Sequence, residues 1–120
     1  MQFYQHSKSD FDKSIKISKL PVVYLLGAKS TNFYKIGFSR NLKHRIENIQ
    51  GGCPHQIILH SVIRTPYPNK IESFLHEMFA YCHYRGEWFN PSEHDLDCLF
   101  SFFEKTNSHI REVHNALLQA

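Results

Sequence analysis

The chain has 120 residues, a mass of 14.2 kDa and a formal charge of +3, with 42% hydrophobic and 21% charged residues; that is core enough for one domain and not for two. Its longest apolar stretch, Pro21 to Leu26, is far too short to cross a bilayer, and Lys8, Asp10 and Asp12 leave no apolar core for a secretory signal, so an intracellular, cytoplasmic protein with no membrane partner is expected. Cys53, Cys82 and Cys98 are odd in number and form no C-x-x-C pair, which argues against a disulfide framework and a Cys-rich zinc site and leaves plain thiols.

Residues 1–20 mix Lys, Ser, Asp and scattered aromatics without a period and are expected to extend from a domain over 21–120. Val22-Val23-Tyr24-Leu25-Leu26 is a β-branched and aromatic run, residues 27–32 carry turn chemistry, and Phe33 to Phe38 resumes strand character, which together predict a β-hairpin. Ser39 is placed to cap a helix over 40–50, with Leu42, Ile46 and Ile49 on one face and a stop at Gly51-Gly52. Residues 56–65 read as a third strand, closed by a proline-rich turn over 66–69. A longer helix follows, because Ile71, Phe74, Leu75, Met78, Phe79 and Cys82 recur at helical spacing; Glu72 and His76 then lie one turn apart on an adjacent face. Glu87-Trp88-Phe89 reads as a short extended piece, and Ser92 with Asp95 as the start of a helix whose apolar face is Leu96, Leu99, Phe100 and Phe103. The tail over 108–118 is helical in pattern.

The order β-β-α-β-α predicts an α+β fold: a small, mainly antiparallel three-stranded sheet with flanking helices and a helical C-terminus. On the second strand, side-chain alternation puts Tyr34, Ile36 and Phe38 on one face and Phe33, Lys35 and Gly37 on the other. The first set is uniformly apolar and is the expected core face, which sends Lys35 to the opposite side.

Charge is distributed unevenly. Between Lys13 and Ile46 there are eight basic residues (Lys13, Lys16, Lys19, Lys29, Lys35, Arg40, Lys43 and Arg45) and no acid, whereas from Lys70 onward four basic residues meet eight acidic ones. One part of the chain is thus suited to a polyanion, although a plainly solvated basic face has the same composition.

Four motifs then line up: Tyr34-Lys35-Ile36-Gly37 after a tyrosine strand, Asn41-Leu42-Lys43-His44-Arg45, Glu72-Ser73-Phe74-Leu75-His76, and Gly86-Glu87-Trp88-Phe89. In order and spacing this resembles the GIY-YIG nuclease superfamily, and more closely its phage-type DNA-binding branch, over roughly residues 21–100. The first motif reads Val-Val-Tyr rather than Gly-Ile-Tyr, and Lys35 stands two residues before Gly37, where the eponymous motif has tyrosine. The resemblance implies a site built from Tyr24, Lys35, Arg45 and Glu72, with Tyr34 and His76 as further candidates. It also implies a DNA partner contacted by Lys29, Lys35, Arg40, Lys43 and Arg45.

Phosphodiester hydrolysis gives these residues chemically sensible roles, since water must lose a proton while charge builds on phosphoryl and leaving oxygens. A carboxylate such as Glu72 suits Mg²⁺ or Mn²⁺. Arg45 offers a forked clamp for phosphate, Tyr24 is placed to position or deprotonate water, and Lys35 to stabilise charge or act as base. Taken singly, each residue has an ordinary structural reading as well: a strand tyrosine, a solvated helix arginine, a surface Glu–His pair. Three functions are therefore compared: a metal-dependent DNA endonuclease, a non-catalytic DNA-binding module of the same fold, and a protein-interaction domain, which the basic strip disfavours. No separate specificity domain is recognisable, which leaves a homodimer, a separate specificity partner or the shape of the substrate as the source of recognition.

Overall fold

The computed structural model describes residues 20–119, the side chain of His114 excepted. The expected extension, with Lys13, Lys16 and Lys19, lies outside the described residues except for Leu20. Strands β1 (Val22–Ala28) and β2 (Tyr34–Ser39) form the expected hairpin. Its turn is tied by the Thr31 amide and hydroxyl, both donating to the Ala28 carbonyl, and Ser30 takes a left-handed φ of 67° there. Helix α1 (Leu42–Gly51) follows. Its cap is Asn41, not Ser39: the Asn41 side chain accepts from the His44 amide at 3.1 Å, while the Ser39 hydroxyl accepts from the Asn41 amide. Both residues are good cap chemistry, and the helix begins two positions later than the pattern suggested.

Strand β3 (Ile57–Arg64) leads into α2 (Pro68–Met78). Here Pro68 opens the helix instead of closing a turn, as a residue without an amide hydrogen can at a first helical position. A 3₁₀ turn (Ala80–Cys82), strands β4 (His83–Arg85) and β5 (Trp88–Phe89), and helix α3 (Glu93–Gln119) complete the described chain. Ser92 and Asp95 do form a reciprocal cap, with each amide donating to the other's side chain at 3.0–3.1 Å. The predicted tail helix is the continuation of α3.

The sheet has five antiparallel strands in the order β3-β1-β2-β5-β4, which corrects the three-stranded sheet expected from the sequence. The extra two come from a hairpin turned at Gly86, whose φ of 58° is a left-handed conformation that suits glycine. Three and two residues are too few to show strand alternation, and all three residues of β4 are exposed.

Each face of the sheet buries its own core. Val22, Tyr24, Leu26 and Ala28 of β1 pack with Ile57, Leu59 and Val62 of β3 under Leu42 and Ile46 of α1. On the opposite face Val23, Leu25, Ile36, Ile63 and Phe89 meet Leu75 and Phe79 from α2 and Leu99 and Phe103 of α3. The result is three layers, one helix, sheet, two helices. Phe74 and Met78, placed by periodicity among the apolar positions of α2, stay exposed. No helix among the described residues is long and apolar enough to cross a membrane.

Candidate functional site

Two consequences of strand geometry create the site. The first is register: Tyr24 lies opposite Gly37, and Leu26 opposite Lys35, with no shift along β1–β2. Tyr24, Lys35 and Gly37 therefore share the α1 face, the parity expected from the sequence. Because Gly37 has no side chain, the Tyr24 ring and the Glu87 carboxylate both settle over it. A Cβ at Gly37 would stand 2.5 Å from Tyr24 Oη and 2.9 Å from Glu87 Oε1.

The second consequence is the shortness of β5. It pairs with β2 only at Tyr34 and Lys35, and the Glu87 carbonyl takes the Ile36 amide at 3.1 Å. The Ile36 carbonyl is then left to α2, where His76 Nε2 lies 2.8 Å from it. A carbonyl only accepts, so Nε2 carries the proton and Nδ1 is the nitrogen left for a ligand. The His76 ring is fixed edge-on against Phe89, centroids 5.0 Å apart.

One turn earlier on α2 stands Glu72, whose Oε2 is buried without a hydrogen-bond partner. Glu72, His76 and Glu87 each offer a ligand atom, all within 4.8 Å of one another. Burial, then the charge of Glu87 and a hydrogen bond between the two carboxyl groups, raise the Glu72 carboxyl above the ordinary carboxylate range, with His76 and Lys35 opposing. Lys35 Nζ is 3.0 Å from Glu87 Oε1 and 5.6 Å from the centroid of Trp88.

Tyr24 is wholly buried, and its hydroxyl also lacks a partner. Burial, reinforced by Glu87 and Glu72 and opposed by Arg45, pushes its phenol far above its ordinary range. The group therefore keeps its proton at neutral pH and can donate, but not abstract. Arg45 is exposed on α1 and close enough for its charge to be felt at Tyr24.

Tyr24, Lys35, Arg45, Glu72 and His76 are thus brought to one neighbourhood. Tyr34 is not: it is half-buried on the other face, its ring 5.4 Å from that of His60. Arg40 and Lys43 are exposed at the start of α1. Lys29 follows β1 and Arg40 follows β2, so the two stand at opposite ends of the hairpin, roughly 20 Å apart for strands of this length. Glu87, inside the Gly86-Glu87-Trp88-Phe89 motif, joins the cluster without being among the site residues that the sequence singles out.

Comparison with known proteins bears on this geometry. A family model of the T5orf172 domain matches residues 22–104, which span every member of the cluster. No curated protein and no solved structure matches the chain. The expected membership of the GIY-YIG superfamily is corrected by this finding, because the family that matches is a different one. The coarser expectation, a phage-type and DNA-related domain, stands.

Proposed function

Since this chain belongs to the T5orf172 domain family, we propose that it hydrolyses DNA phosphodiester bonds with a divalent cation held at Glu72, in the side-chain cluster beside Gly37. The observation that carries this reading is a buried carboxylate oxygen and a buried phenol, both without partners, converging beside two cationic side chains. Buried polar groups are nearly always paired, and leaving one unpaired costs about 1–3 kcal/mol, so two together mark a place built for something else to bind.

The donor set fits a hard cation. Carboxylate oxygens suit Mg²⁺ or Mn²⁺, and a histidine nitrogen nearby favours Mn²⁺ of the two. His76 donates its other ring hydrogen to the Ile36 carbonyl, the arrangement that orients metal-binding histidines generally. When bound, such a cation polarises phosphate oxygens and lowers the pKa of water.

The remaining tasks fall to the chain's own side chains. Tyr24, held in its protonated form, donates to a phosphate oxygen or to the attacking water and does not serve as base. Arg45 presents planar, forked donors to phosphate. Lys35 adds a positive charge where charge accumulates. Lys29, Arg40 and Lys43 are exposed and suited to neutralise flanking phosphates.

Incubating the protein with supercoiled plasmid and Mg²⁺ or Mn²⁺ tests the reading, with Glu72→Gln as control. Nicking that needs the metal and is lost in the variant is the expected result. Nicking that survives in Glu72→Gln would refute the assignment. DNA binding without nicking at either metal would leave a non-catalytic binding module as the function.

A further inference from the structure

Two carboxylates stand in the cluster, but they are not served alike. Glu87 has the Lys35 ammonium at 3.0 Å, whereas Glu72 Oε2 is buried with no hydrogen-bond partner. When both are ionised, the two carboxylates repel, and partial burial strengthens that repulsion. One ammonium placed against one of them offsets part of that repulsion, and a divalent cation between the two would offset more. A third donor, His76, lies within the same 4.8 Å. The Tyr24 hydroxyl, wholly buried and unpartnered, points to the same place over Gly37, beside Glu87 Oε1.

Lys35 also has somewhere to go. Its side chain is 13% exposed, and its ammonium lies 5.6 Å from the Trp88 ring centroid. An aromatic face holds a cation favourably even when its carboxylate partner is withdrawn.

We propose that Glu87 is a second carboxylate ligand of the cation site, and that Lys35 is the resident counter-ion, released from Glu87 towards the substrate's phosphate when a divalent cation enters. The inference rests on the cation reading of the cluster given above and adds a ligand and an order of events to it. Lys35 would neutralise the acidic cluster in the metal-free protein and become available to a polyanion only once the cation is seated. Metal loading and phosphate binding would thereby be coupled through one side chain.

The test uses the full chain without DNA. Mn²⁺ is titrated calorimetrically and by its electron paramagnetic resonance signal against the unmodified protein, Glu72→Gln, Glu87→Gln and Lys35→Met. Glu87→Gln is expected to weaken Mn²⁺ binding by about tenfold or more, since loss of even an outer-shell partner costs about that much. Lys35→Met is expected to tighten it. Independently of any variant, an amine-reactive label read by mass spectrometry should modify Lys35 slowly in metal-free protein and faster at saturating Mg²⁺, with Lys29 and Lys43 unchanged.

If Glu87→Gln binds Mn²⁺ as the unmodified protein does while Glu72→Gln does not, the second ligand is disproved and the cation reading survives. Both variants binding normally, or an unmodified protein that binds no Mn²⁺, would overturn both. Labelling of Lys35 that ignores Mg²⁺ would overturn the counter-ion role.

Discussion

Replacing Tyr24 with Phe should stabilise the fold while impairing function, the opposite of the usual result for a buried tyrosine. The ring is wholly buried and its hydroxyl has no hydrogen-bond partner, so the folded state carries a desolvation cost of about 1–3 kcal/mol that phenylalanine avoids. Against this stands the void left by one oxygen, worth about 0.3 kcal/mol at the usual cost per unit of cavity volume. The net expectation is a gain of about 1 kcal/mol, or roughly 4 °C in Tm for a chain of this size. pH supplies a second signature. Burial raises the folded-state phenol above its ordinary value of 10.0, so above that pH the native protein retains a proton that the unfolded chain has lost. Stability therefore falls as pH rises beyond 10, and Tyr24→Phe should remove that component. Urea denaturation at pH 7 and at pH 10.5, with plasmid nicking alongside, checks all of this. Cleavage should fall about tenfold to a hundredfold if the hydroxyl donates to a charged phosphate. A Tyr24→Phe variant destabilised by about 1 kcal/mol or more would show that the hydroxyl has a structural partner, and the reasoning would be wrong.

Glu72→Gln should likewise gain stability at neutral pH. The folded-state carboxyl is raised by burial and by Glu87, so ionising Glu72 costs stability as pH climbs from the unfolded value; a thermal melt should favour the variant at pH 7 and not at pH 4, and equal differences at both would contradict the shift. Gly37→Ala forces a Cβ to within 2.5 Å of Tyr24 Oη and 2.7 Å of its Cζ, so a loss of about 1–3 kcal/mol is expected. Adding Tyr24→Phe should rescue it only in part, because the ring carbon remains in the way; an unperturbed Gly37→Ala denaturation curve would show that the tyrosine swings aside freely. DNA affinity should fall with salt by about 0.9 in logarithmic slope for each phosphate contacted, and Lys29→Ala with Lys43→Ala should flatten that slope by about 1.8, whereas an unaltered slope would exclude both lysines from the interface.

Local chemistry made three of the five strands legible. Val22 to Leu26 is a β-branched and aromatic run and residues 57–64 a β-branched one, and alternation in β2 sorted Lys35 from Tyr34 because the β1–β2 ladder carries no bulge. The Ser92–Asp95 cap was readable for the same reason: both partners lie within one helical turn. Other features depend on distance in the chain. Ser39 and Asn41 are equally good cap chemistry, and only the packing of α1 on the sheet chooses between them. Nothing in His83-Tyr84-Arg85 alternates, since every one of these side chains is exposed. They are a strand only through their pairing with β5, which itself pairs with β2.

Glu87 was illegible as a site residue for that same reason. It meets Lys35, 52 positions earlier (87 minus 35), only once the β4–β5 hairpin lies against β2. The shortness of β5 then decides the rest of the site. Had it paired with β2 one residue further, its own amide would have taken the Ile36 carbonyl and His76 would have lost its anchor. Instead the sheet edge stops at Lys35, α2 closes over it with His76 bound to Ile36, and Glu72, one helical turn along, is carried to within 4.8 Å of the Glu87 carboxylate. Two carboxylates and an imidazole thus converge because a strand ends early beside a glycine. A sequence pattern can name such residues, but the folded sheet edge is what brings them together.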